Sequence, residues 1–173
     1  MRLWPIAGLF LAFAAAPAPA MTIASADFTD GSALPLAQVY TRCGGLNISP
    51  ELHWSGAPSS ARSLAVTMID HDVPPDDWSH WIVVGIPVTA SGLARGAAAL
   101  PAGAHGVISN MGDAAYDGPC PPKGAGAHRY EITVWALPTP TIDIAADAKA
   151  KDVTAELLRA AVDHASITGT VTP

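Results

Sequence analysis

The chain has 173 residues, with 9 Lys+Arg against 15 Asp+Glu and a formal net charge of −6. That length suits one domain able to bury its own core without extra cross-links. The few cations are scattered singly, so the chain lacks the basic patch that a nucleic-acid partner requires, and no nucleic-acid ligand is expected.

Residues 1–20, "MRLWPIAGLFLAFAAAPAPA", carry one cation at Arg2, an apolar stretch from Leu3 to Ala16, and small residues at Ala18 and Ala20. This layout predicts a secretory signal peptide cleaved after Ala20, followed by one domain over residues 21–173 that is periplasmic or secreted. The apolar stretch is shorter than the ~20 residues a bilayer demands. The domain is therefore not expected to span a membrane once the leader is gone. In an oxidising compartment the two cysteines, Cys43 and Cys120, favour a disulfide over free thiols.

Beyond the leader, short apolar runs alternate with Gly, Pro, Asn and Asp clusters, the rhythm of an all-β domain. A brief strand is expected over Leu52 to Trp54. In "SLAVTMI", Ser63 to Ile69, the residues Leu64, Val66 and Met68 share one face. "WIVVGI", Trp81 to Ile86, does not alternate and reads as a central strand covered on both faces. Ala90 to Ala104 is rich in small residues and reads as a long surface connection, followed by a short strand around Gly106 to Ser109. "YEITVWA" places Tyr130, Ile132, Val134 and Ala136 on one face, with Glu131, Thr133 and Trp135 on the other. Near the C-terminus, Asp152 is placed to cap a helix running to about Ala165, with Val153, Leu157, Leu158, Ala161, Val162 and Ala165 along one side.

Two stretches share a grammar of acids and prolines, then a histidine, then an apolar run. They are "DHDVPPDDWSHWIVVGIP", Asp70 to Pro87, and "YDGPCPPKGAGAHRYEITVWAL", Tyr116 to Leu137. Glycine allows close approach of a ligand or a second backbone, and proline holds a loop in shape, so both read as walls of a preformed pocket. Asp70, Asp72, His80, Tyr116, Cys120, His128, Arg129 and Tyr130 stand at or beside strand ends, where loops carry function on a rigid scaffold. Imidazoles and a phenol can donate to an anion while aspartates orient the imidazoles. Arg129 alternates away from His128 and is expected to brace a carboxylate.

A metal held by Asp70, Asp72, His80 and His128 is disfavoured because no pair has the spacing of ligands on one helix face, and no metal or cofactor is expected. A Cys120 nucleophile with His128 as base would make a small-ester hydrolase or transferase, but a disulfide explains the cysteines more simply. His53, His105 and His164 read as structural or solvent-facing. Asn47-Ile48-Ser49 is formally a glycan acceptor and is discounted as too short a signal.

In order along the chain, these pieces resemble the phosphatidylethanolamine-binding protein family, in its bacterial branch of Raf-kinase-inhibitor-like proteins. "NISPELHWSGAP" from Asn47 is similar to the family's N-x-S-P-x-L-x-W segment, and Asp70 to Pro74 to its D-P-D-A-P box. "HWIVVGIP" from His80 resembles its histidine-led strand, and "YDGPCPPKGAGAHRY" from Tyr116 its G-x-x-P-P-K-G followed by H-R-Y. The resemblance implies a mainly β, Greek-key β-sandwich with a small C-terminal helical element. It also implies a shallow anion pocket formed by Asp70, Asp72, Pro74, His80, Gly118, Cys120, Pro121, His128 and Tyr130. The implied function is that of an exported, non-enzymatic protein binding a small anion or phospholipid headgroup, with a protein partner as a further possible target. A protease-inhibitor or surface-interaction module acting through exposed loops is the other alternative. His71, Val73, Cys120 and Gly85 depart from the family pattern, Gly85 standing where asparagine is common.

Overall fold

The computed structural model describes residues 20–97, 99–142, 144 and 149–173, so the expected leader, apart from Ala20, lies outside the described residues. Two antiparallel sheets face each other. The smaller contains β1 (Thr22–Ala24), β2 (Leu52–Ser55) and β5 (Gly92–Leu93), in the order β1-β2-β5. The larger contains β3 (Ser63–Asp70), β4 (Trp78–Ile86), β6 (His105–Gly106), β7 (His128–Leu137) and β8 (Asp163–Val171), in the order β6-β4-β3-β7-β8. Among the described residues one α-helix, α1 (Ala150–Ala160), packs on the outer face of the larger sheet through Val153 and Leu157. The fold is thus a mainly β sandwich with one short helix near the C-terminus.

Strand alternation explains how the core divides. Leu64, Val66 and Met68 of β3 join Tyr130, Ile132, Val134 and Ala136 of β7 in the cluster between the sheets. Ala65, Trp135 and Leu137 point the other way, into the cluster beneath α1. Strand β4 is covered on both sides, since Trp81 and Val83 face the inner cluster while Ile82 and Val84 face the helix.

Gly85 breaks the parity of β4 and returns Ile86 to the inner cluster, at a register shift between Leu64 and Val66. It adopts φ +70°, and a Cβ there would stand 2.8 Å from the Gly103 carbonyl oxygen. A bulge and a close backbone approach therefore require glycine here, whatever hydrogen bond an asparagine would offer.

Two expectations need correction. Ala90 to Ala104 is not merely a surface connection, because Gly92–Leu93 pairs with β2 and Leu93 is buried. The helix ends at Ala160, where Ala161 turns to extended backbone with ψ 139°, and Leu158 and Val162 are exposed. Lys149 rather than Asp152 is the N-cap, and Asp152 lies in the first turn, where a negative charge favours the helix dipole. Residues 163–171 form β8, paired with β7 along nine positions from His128↔Val171 to Ala136↔Asp163. The β-branched run Ile167, Thr168, Thr170 and Val171 suits a strand, and leaving β7 unpaired would expose its backbone edge.

Candidate functional site

Three strand ends meet at one end of the larger sheet. Asp70 closes β3, Trp78 opens β4 and His128 opens β7, with Asp70 opposite both Trp78 and Tyr130 in register. The pairing that builds the sheet therefore also gathers the chemistry. Asp70, His80, His128 and Tyr130 are all at least nine-tenths buried.

The two imidazoles are held differently. His128 Nδ1 lies 2.8 Å from Asp70 Oδ2, so Nδ1–H donates to the carboxylate. His80 Nδ1 lies 2.9 Å from the Asp117 carbonyl oxygen and donates to it. Both assignments leave Nε2 as the ring nitrogen free for a ligand. Tyr130 lies between them, edge-on to His80 with centroids 5.2 Å apart and stacked on His128 at 6.5 Å. Its hydroxyl is buried and makes no hydrogen bond of normal geometry, the Asp70 carboxylate being its one polar side-chain neighbour of consequence. Burial, then the nearby Asp70 charge, pushes the Tyr130 phenol far above its ordinary value, so it is a donor at neutral pH. Burial pushes His80 below its ordinary value, against the opposing pull of its Asp117 hydrogen bond.

These groups open onto a cleft of about 480 Å³. Pro74, Cys120 and Pro121 line it as well, together with Val73, Trp78, Met111, Pro122 and Ala125. Asp72 reaches the same cleft but spends its carboxylate on Arg129, accepting from Nε and Nη2 at 3.0 Å and from the Arg129 amide at 2.8 Å. That guanidinium holds the Asp72 carboxyl down at about 2. Arg129 thus meets its carboxylate in the neighbouring loop. Gly118 does not line the cleft. It stands behind the wall, where a Cβ would come within 2.0 Å of the Gln38 carbonyl oxygen. Tyr116 likewise serves the scaffold, donating its hydroxyl to the Gln38 carbonyl at 2.8 Å.

Cys43 and Cys120 are joined by a disulfide with their Cα atoms 5.6 Å apart. Cys120 therefore offers no thiol to a His128 base. Among the described residues, no group of three or more His, Cys, Asp or Glu side chains is placed to hold a metal ion. His164 stacks on Trp135, and His53 pairs with Glu51.

Asn47 is the positioning residue that motif reading undervalued. It sits at φ 55°, a left-handed conformation that asparagine tolerates. Its Nδ2 donates to the Tyr116 carbonyl at 3.2 Å, and its Oδ1 accepts from the Gly118 amide at 2.7 Å. The pattern that resembles a glycan acceptor is thus a brace for the Cys120 loop. Trp78 and Met111, also missed, form the cleft's outer rim, with the Trp78 indole N–H donating to the Met111 sulfur at 3.3 Å. Only Trp78's place beside a strand start could have signalled the pair, since Met111 comes from a loop without a pattern.

Comparison with known proteins agrees with this architecture. The phosphatidylethanolamine-binding protein family model matches residues 24–172. YbcL of Escherichia coli K12 is 39% identical over 143 residues, covering 78% of each chain. The lipoprotein-named LppC of Mycobacterium tuberculosis H37Rv is 38% identical over 160 residues, which is 91% of this chain and 76% of that protein. The crystal structure of E. coli YbcL superposes with a TM-score of 0.84 at 34% identity, covering 90% of this chain and 99% of that one. A match over nearly every described residue, in sequence and in fold, places the chain in the phosphatidylethanolamine-binding protein family.

Proposed function

We propose that the protein is an exported, non-enzymatic binding protein whose cleft takes a small phosphate-like anion of the kind found in phospholipid headgroups. The observation that carries this reading is the Tyr130 hydroxyl, a buried donor with no hydrogen bond of normal geometry, set between two imidazoles whose Nδ1 atoms are already engaged. A buried polar group left unpaired costs roughly 1–3 kcal/mol, and an anionic oxygen in the cleft would recover that cost. Three neutral or protonatable donors suit a monoanionic diester better than a densely charged ligand, because no lysine or arginine head is committed to the cleft's floor. Export is supported by the disulfide and by the likeness to LppC, and by leader-like residues 1–20.

The test is Tyr130→Phe, assayed by calorimetry and thermal melting with glycerophosphoethanolamine. At a hundred times its dissociation constant the diester adds ~2.7 kcal/mol to wild-type stability, or about 5–10 °C in Tm. Tyr130→Phe is expected to melt close to the wild-type temperature without ligand, since the hydroxyl makes no hydrogen bond of normal geometry. Its affinity should fall about tenfold or more, the worth of a hydrogen bond to a charged group. Equal binding by the two proteins would remove the cleft as the anion site.

A further inference from the structure

We propose that Met111 is a peroxide-modification site that sets the affinity of the cleft. This rests on the anion-binding reading given above. The sulfur of Met111 accepts the Trp78 indole N–H at 3.3 Å, and both side chains line the cleft beside Cys120 and Pro121. Trp78 is 38% exposed, and Met111 is half-buried and lines the cleft, so small solutes entering the cleft reach the Met111 side chain. The other described sulfur atoms are protected. Met21 and Met68 are 6% and 0% exposed, and the described cysteines are both held in the disulfide. Among the described residues, Met111 is thus the accessible soft nucleophile.

The reaction is a two-electron oxygen transfer from hydrogen peroxide. The sulfur lone pair attacks one peroxide oxygen, the S–O bond forms as the O–O bond breaks, and the departing hydroxide takes the proton of the transferred oxygen and leaves as water. The thioether is oxidised to the sulfoxide and the peroxide is reduced. Oxidation replaces an apolar wall atom and weak acceptor by a polar group whose oxygen is a strong acceptor. The negative end of the new S–O dipole then stands at the mouth of a site built to receive an anion, and the indole N–H is held by the new oxygen. Both changes oppose ligand entry. Methionine sulfoxide is enzymatically reducible, so the modification is reversible.

The purified protein, treated with a small excess of hydrogen peroxide, is analysed by peptide mapping and then titrated with glycerophosphoethanolamine. One oxygen is expected on Met111 ahead of Met21 and Met68, with an affinity lower by about two- to tenfold, the scale of one neutral polar contact. Whatever affinity Met111→Leu begins with, peroxide is expected to leave it there. Oxidation of Met21 or Met68 as fast as Met111, oxidation of Trp78 first, or an affinity unmoved by sulfoxide at Met111 would each overturn the proposal. A protein that binds no diester even before peroxide defeats the binding reading, and the modification site is still decided by the map and by indole emission. Sulfoxide at Met111 with an emission change that Trp78→Phe abolishes supports the site, and an unchanged emission overturns it.

Discussion

The two loops that frame the cleft are fixed by different forces. The Cys120 loop is tied by covalent and backbone contacts: the disulfide to Cys43, the Tyr40 amide to the Pro119 carbonyl at 3.0 Å, and the Asn47 bridge to Tyr116 and Gly118. The loop after Asp70 is tied largely through carboxylates: Arg129 grips Asp72, His71 Nδ1 lies 2.9 Å from Asp77 Oδ2, and the Asp72 amide donates to Asp70 at 2.9 Å, beside one backbone bond from the His71 amide to the Arg129 carbonyl at 3.2 Å. Neutral and covalent ties are indifferent to salt, whereas exposed ion pairs are screened by it and are lost when acid protonates the carboxylate. One wall is therefore permanent in an oxidising medium and the other is adjustable by the solution.

The largest expected effect comes from cutting the permanent wall. Cys43→Ser with Cys120→Ser removes a link across a sequence separation of 77 and is expected to cost ~2–5 kcal/mol, read as a lower denaturant midpoint with a steeper slope, since the unlinked denatured chain exposes more surface. A variant as stable as wild type would erase the distinction between the two loops. Gly118→Ala comes next. Its Cβ would meet the backbone at Gln38 O and at Tyr40 N, 2.0 and 2.7 Å away, where no side chain can swing aside. A loss of ~1–3 kcal/mol is expected, the cost of overpacking, with weaker diester binding because the Cys120 wall must shift.

How much of this was legible in the sequence depended on where the signal lay. The alternation of Leu64, Val66 and Met68, and of Tyr130 to Ala136, reads directly as an inner face because side chains alternate along a strand and one side is buried. The meeting of His80 with His128 follows from matching loop grammar and from the family's boxes. Strand β8 was hidden because the polar residues of "DHASITGTV" blur its period, and Ala-rich residues before it extend a helical pattern past its true end. Gly118 reads as a cleft residue by position, yet its role is fixed by a contact with Gln38, 80 positions away in the chain, that no local pattern encodes. Met111 and Asn47 were missed for the same reason, since both act through long-range partners.

A smaller effect tests the adjustable wall. The Asp72 carboxyl is held at about 2 by Arg129, below its ordinary 3.8. A lowered acid contributes stability that is complete above about 3.8 and is lost as pH falls toward about 2. Asp72→Asn is expected to lower Tm by a few degrees at neutral pH and low salt, and by less in 1 M salt or near pH 2. A difference from wild type that ignores both pH and salt would mean that this loop is held by packing, like its neighbour.

The smallest and most specific effect concerns His80, where pH acts on the fold and on the ligand in opposite senses. Burial keeps the free imidazole below its ordinary 6.5. With a folded value below the unfolded one, the unfolded chain takes up the proton first as pH falls, so the unliganded protein loses stability below about 6.5, down to the folded value. A bound diester favours imidazolium and raises the His80 value, so by linkage affinity rises as pH falls through the same region, by at most about tenfold per pH unit for one proton taken up. Burial thus moves the window to the acid side of the pH 8 to 6 interval that an unperturbed imidazole would give. The ligand must be a diester, because a monoester titrates near pH 6 and would mask the change. Calorimetry with glycerophosphoethanolamine between about pH 7.5 and 5 is expected to give rising affinity together with falling Tm of the free protein. Tyr130→Phe should shift the affinity curve downward without flattening it, since the phenol stays protonated throughout. A flat affinity curve in wild type would mean that neither imidazole takes up a proton when the anion binds, leaving the Tyr130 hydroxyl as the donor that holds it.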